Sequence, residues 1–191
     1  MASNSLVDEK VSLPPGLTIG HIKKAVDEIE SIANKVLDAI GDQQLNLLSN
    51  LVSGLGSAAL NRLGPYHQDA NRSRAQTRFP DLRNDEGIPL ECKGNFAFNA
   101  PNAHNQEEGW FIIWRYIIDR SMTLDPNFAL KIFRVDVGYL LEKDWKIMPR
   151  GPTSKRTPNS APTKEGMAKL KPVYFDKRVS KKGRSFEIAR S

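Results

Sequence analysis

The sequence predicts an α/β fold, a mixed central β-sheet flanked by α-helices, and three observations predict it. Apolar residues recur at helical spacing through the first third of the chain, four β-branched or aromatic segments fill the middle, and Gly, Pro, Asn and Asp separate them. The 191 residues are a single-domain length, and 39% hydrophobic with 26% charged residues excludes wholesale disorder and a membrane-embedded body.

From His21 to Ile40, the residues Ile22, Val26, Ile29, Ala33, Val36 and Ile40 return every three or four positions, and Gly41 follows as a stop. A second helical pattern carries Leu45, Leu48, Leu51, Val52, Leu55, Ala59 and Leu63. Gly54 and Gly56 would each cost about 1 kcal/mol inside a helix, so this pattern reads as one helix or two shorter ones. Gly64-Pro65 ends it, and a stretch with Arg72, Arg74 and Arg78 leads into four strands: Phe79 to Arg83, Ile88 to Gly94, Trp110 to Ile118 and Leu130 to Leu141. Further on, Thr163 to Leu170 reads as a short helix and Val173 to Phe175 as a short strand. No internal repeat is visible.

Lys+Arg 28 against Asp+Glu 22 gives +6 and a pI near 9.5, which favours polyanionic partners, nucleic acid foremost. Residues 150–191 hold twelve Lys/Arg against three Asp/Glu, which leaves 1–149 slightly acidic. The chain therefore divides into 1–149, helices plus sheet, and 150–191, a basic segment of the same domain expected to contact DNA. The lone Cys92 cannot form an intramolecular disulfide, and Met1 to Pro15 lacks the charged-then-apolar layout of a signal peptide, so a cytoplasmic protein is expected. The longest apolar stretch is interrupted by Arg115, far short of a bilayer span.

The sharpest local signal is Pro80-Asp81 followed by Glu91-Cys92-Lys93. On a strand, Ile88, Leu90 and Cys92 share one face, and Pro89, Glu91 and Lys93 share the other. Asn84, Asp85 and Gly87 turn the chain back between the two parts, bringing Asp81 beside Glu91. Paired carboxylates suit a hard cation such as Mg²⁺, with the Cys92 backbone carbonyl as a third ligand. Lys93 would orient or help deprotonate an attacking water and offset charge on a phosphate. Such a site suits phosphodiester hydrolysis.

These residues resemble the motif of the PD-(D/E)xK nuclease superfamily, and the chain is similar in length to many type II restriction endonucleases. The resemblance spans roughly Gly20 to Leu141. It implies a restriction-endonuclease-like sheet, Mg²⁺ held by Asp81 and Glu91, and Lys93 assisting the nucleophilic water. Some members add a glutamate from a preceding helix, for which Glu30 is the first candidate and Glu28 the second. The implied activity is sequence-specific cleavage of double-stranded DNA to 5′-phosphate and 3′-hydroxyl ends. One site per chain and two strands to cut imply a symmetric homodimer on a palindromic target. Two alternatives stay open: a structure-specific repair or junction-resolving nuclease, and a non-catalytic basic DNA-binding protein whose Asp81, Glu91 and Lys93 form a surface ion-pair cluster.

Other segments supply expected DNA contacts. Asn95, Asn99, Asn102, His104 and Asn105 follow the motif strand, and carboxamides make bidentate hydrogen bonds to adenine; each also suits a turn. Trp110, Trp114 and Tyr116 share one strand face and read as core. Arg115 on the opposite face is expected either at the DNA backbone or in solvent. Lys155 and Arg156, set between Ser154 and Thr157, suit a phosphate clamp. The three histidines and one cysteine offer no zinc spacing.

Overall fold

A computed structural model describes residues 5–40, 45–68, 79–103, 106–125, 127–148, 159–182 and 185–189. Two long helices, α1 (Ile19–Ile40) and α2 (Leu45–Leu63), come early. The strands are β1 (Ser5–Val7), β2 (Tyr66–His67), β3 (Leu82–Asn84), β4 (Pro89–Phe96), β5 (Gly109–Ile118), β6 (Leu130–Leu140), β7 (Trp145–Ile147), β8 (Ser160–Pro162), β9 (Lys171–Asp176), β10 (Val179–Lys182) and β11 (Ser185–Ile188). A short helix, α3 (Lys164–Lys169), is capped by the Thr163 side chain, which accepts from the Gly166 N–H.

Seven strands form one mixed sheet in the order β1-β9-β6-β5-β4-β3-β2, in which only β4 and β5 run parallel. The two halves of each alternation face different layers. Leu90 and Cys92 of β4, Ile112, Trp114 and Tyr116 of β5, and Val135 and Val137 of β6 pack with α1 and α2 in the main core. On the other face, Phe111 and Ile113 pack with Leu140 and Trp145, and Ile117 with Phe133 and Val179.

The second helical pattern is one helix, uninterrupted by its glycines. Gly54 faces open space, whereas a Cβ on Gly56 would fall inside the Trp114 indole. The missing side chain lets α2 lie directly on the sheet. Burying side chains the size of Val52, Leu60 and Trp114 contributes about 1.5–3 kcal/mol each, which exceeds the cost of about 1 kcal/mol per helical glycine.

One expectation needs correction. The strand predicted over Phe79 to Arg83 forms only at Leu82–Asn84, so Asp81 precedes it. The basic segment is built into the domain. Its strand β9 lies inside the sheet between β1 and β6, and Lys169, Arg178 and Lys182 are ion-paired to Asp144, Asp176 and Glu187. Among the described residues, no helix is long and apolar enough to cross a membrane.

Candidate active site

Strand β3 pairs with β4 only at Leu82 opposite Leu90 and Arg83 opposite Pro89, so this edge of β4 loses its neighbouring strand beyond Leu90. Asp81 takes over there. Its Oδ2 accepts from the Cys92 N–H at 3.0 Å, and its own N–H donates to Glu91 Oε2 at 2.9 Å. The Cys92 carbonyl, expected as a ligand, accepts from Ser53 Oγ of α2 at 2.7 Å, which engages one of its two lone pairs. Lys93 Nζ is paired with Glu91 Oε1. Because Leu90 and Cys92 are buried in the helix-side core, strand alternation directs Glu91, Lys93 and Asn95 to the opposite face.

The electrostatics are those of crowded acids around one cation. Burial pushes the Glu91 carboxyl up to about 7, with Lys93 opposing and the charges of Asp81 and Glu107 adding to the rise. Burial alone would lower the Lys93 ammonium, but Glu91, Glu107 and Asp81 outweigh it and hold it above its ordinary value. Lys93 therefore stays protonated at neutral pH. Glu107 is raised by burial, opposed by Lys93 and reinforced by Asp81, and its Oε2 is buried without a hydrogen-bond partner among the described residues. Burial, with Asp81 beside it, drives the Cys92 thiol well above its ordinary range, so its sulfur is a buried, protonated thiol at neutral pH.

Sequence reasoning missed Glu107. The parallel pairing of β4 and β5 obliges the chain to return along the sheet, with residues 97–103 and 106–108 on the way, before β5 can start. Arg115 holds the first part of that return by donating from Nη1 to the Asn99 carbonyl at 2.6 Å. Trp145 holds the last part: its Nε1 donates to the Glu107 carbonyl at 2.7 Å, and its own carbonyl accepts from Gln106 Nε2 at 3.2 Å. Glu107 thus reaches the other acids through tertiary contacts. The only local signal was the acid pair Glu107-Glu108 after a turn-rich stretch.

Between α2 and the return segment lies a cleft of about 490 Å³. Ser49, Asn50 and Ser53 form one wall, Lys93 to Phe96 the floor, and Asn99 to Ala103 with Asn159 the far side, although Pro101 is not in the lining. Three expected base-reading residues, Asn95, Asn99 and Asn102, therefore do meet beside Lys93. Asn95 spends its Nδ2 on the Ala100 carbonyl at 3.0 Å.

Other expected site residues lie elsewhere. Glu30 sits on the helix side of the sheet, where its carboxylate accepts from Lys131 Nζ and from the Ile132 N–H at 2.8 Å. Burial raises its carboxyl against Lys131, with Asp125 adding to the rise. It joins α1 to β6 and has no place among Asp81, Glu91 and Glu107. Glu28, the second candidate, is paired with Arg62 of α2. Arg115 is 2% exposed and ion-paired with Asp136, so it is neither at a DNA-facing surface nor in solvent. His104, Asn105, Lys155 and Arg156, like Arg72, Arg74 and Arg78, fall outside the described residues.

Among the described residues, no three His, Cys, Asp or Glu side chains stand ready-made as a metal cage. Mg²⁺ asks for less: one or two carboxylates, waters and substrate phosphate commonly suffice. Asp81 and Glu91 supply that pair, and the excess of acid marked by the raised Glu91 and the partnerless Glu107 oxygen is chemistry that a hard cation satisfies. No protein-family model matches the chain, and no curated protein is found similar to it.

Proposed function

We propose that the protein is a Mg²⁺-dependent endonuclease that cuts double-stranded DNA at specific sequences in the manner of a type II restriction enzyme, working as a homodimer. The observation that carries this reading is the interlock of Asp81 with Glu91 and Cys92 at the open edge of β4, with Lys93 bound to Glu91.

Asp81 and Glu91 would hold Mg²⁺, whose chemistry here is charge neutralisation at the phosphate and acidification of water. Lys93, held as an ammonium, donates to a phosphate oxygen where negative charge grows during the reaction. Glu107, with an unengaged oxygen, accepts the proton of the attacking water. The water oxygen bonds to phosphorus as the bond to O3′ breaks, and O3′ leaves as an alkoxide that takes a proton from a solvent water. The products are a 5′-phosphate and a 3′-hydroxyl.

The test is incubation of long duplex DNA with purified protein in Mg²⁺, beside an EDTA control and the Lys93→Ala and Glu91→Ala variants. Discrete fragments from the unaltered chain alone are expected. A Lys93-dependent smear would move the function to structure-specific repair or degradation. Intact DNA with binding retained would replace the nuclease reading with that of a DNA-binding protein.

A further inference from the structure

The cleft beside the acids has a chemistry that phosphodiester hydrolysis does not use. Five carboxamides border it, and among the described residues the side chains of four of them, Asn50, Asn99, Asn102 and Asn159, make no hydrogen bond within the protein. All four residues are exposed. Each amide presents donors and an acceptor in one plane, as the pairing edge of a nucleobase does.

The cleft's charge narrows the ligand class. Among the described lining residues Lys93 is the one that is charged, so a phosphate finds a single cation among them, and an acidic side chain to receive a cationic ligand is missing from the described lining. Hydroxyls and amides predominate over apolar walls, which argues against a hydrocarbon ligand. The size narrows it further. About 490 Å³ falls among small-molecule pockets, roughly 300–1,000 Å³, and holds one nucleotide rather than a paired duplex. Position completes the argument, because Lys93 is shared by the cleft and the acid cluster. Whatever occupies the cleft lies next to the group that Lys93 engages.

We propose that this cleft receives one nucleobase, unpaired and turned out of the helix, from the strand whose phosphate meets Lys93. This rests on the nuclease reading for the identity of that strand. Asn50 reaches the base from the α2 wall and Asn102 from the return segment, with Asn99 beside it. Turning a base out of a duplex costs pairing and stacking, and the cost is least where the base is already unpaired. DNA carrying an unpaired nucleotide is therefore the better ligand.

The test uses the full chain with Glu91→Gln, so that binding is measured without cleavage. Fluorescence anisotropy compares a labelled duplex carrying a single bulged adenine with the same duplex fully paired. The bulged DNA is expected to bind about tenfold or more tightly. Asn50→Trp and Asn102→Trp, which fill the cleft from opposite walls at exposed positions, are each expected to bring the affinity ratio close to one. Equal affinities in the unfilled protein, or a preference that survives both fillings, would overturn the proposal. Mg²⁺ cleavage of the same duplexes by the unaltered chain reads the other claim separately: cutting without a bulge preference overturns only the cleft, and a bulge preference without cutting overturns only the nuclease.

Discussion

The Asp81 N–H donates to Glu91 Oε2 at 2.9 Å, so the main chain of the first acid orients the second. Glu91 is held from one side by that N–H and from the other by Lys93. Such a carboxylate needs no ligand to find its position, and its repulsion from Asp81 is the cost of that order. The same relation makes the site sensitive to charge more than to shape, which the following variants exploit.

Glu107→Gln separates proton acceptance from architecture. The amide keeps the volume but no longer takes a proton from water, and cleavage is expected to fall by about 10²- to 10⁴-fold. Folding stability should rise in the same variant, because burial and the neighbouring Asp81 charge disfavour the carboxylate that the neutral amide replaces. Single-turnover cleavage and a thermal melt check the two halves. A cleavage rate equal to that of the unaltered chain would remove Glu107 from the chemistry.

The raised Glu91 carboxyl makes stability depend on pH. Folding lifts it from an ordinary 4.5 to about 7, so the folded chain binds this proton more tightly than the unfolded chain. Its contribution is fully present below about pH 4.5 and is lost as pH rises towards about 7, by roughly 3 kcal/mol. Urea unfolding at several pH values should show the metal-free chain losing stability across that window relative to Glu91→Gln. Mg²⁺ added above the window should restore the loss in the unaltered chain and do little for the variant. Parallel pH profiles for the two proteins would contradict this.

Gly54 and Gly56 stand two residues apart on α2 and are expected to respond oppositely to alanine. Gly54→Ala meets nothing within 4 Å and gains helix propensity, a stabilisation of up to about 1 kcal/mol. Gly56→Ala drives a methyl into the fully buried Trp114, at a cost of about 1–3 kcal/mol. Chemical denaturation of both variants checks the sign of each.

Glu30→Gln and Arg115→Ala test the two relocated side chains. The first weakens the grip of α1 on Lys131 and the Ile132 N–H, and about 1–3 kcal/mol of stability should go with it. The second strips one of two guanidinium partners from the fully buried Asp136, which keeps Arg134, a loss of about 1–3 kcal/mol, and frees the return segment at Asn99. Below the melting temperature, Glu30→Gln should cleave at the rate of the unaltered chain. A hundredfold loss in a folded Glu30→Gln protein would return that residue to the active site.

Periodicity carried much of this architecture. Both helices, the strands around Leu90, Trp114 and Val135, and the opposite facing of Cys92 and Glu91 follow from spacings of three to four and of two. The approach of Asp81 to Glu91 was legible because only a turn separates them. Arg115 marks where such reading stops. Its strand parity was visible, but the layer covering that face comes from the return segment and residues beyond 144, distant in sequence. Glu30 was placed by its helix face, yet its partners Lys131 and Ile132 lie about a hundred residues away and leave no local mark. Glu107 was missed for the same reason: Trp145 fixes it, and no spacing in the sequence announces that bond.

The place of β9 sets an order of assembly. Strand β1 is made well before its ladder partner β9, residues 171–176, which itself docks on β6. On the ribosome, β1 must wait for every element between it and β9 to emerge, while α1, α2 and the strands through β6 can already associate. A nascent chain stalled before residue 171 would therefore carry the Asp81–Glu91 interlock beside a β6 edge with no strand on it, exposed to any other unfinished chain nearby.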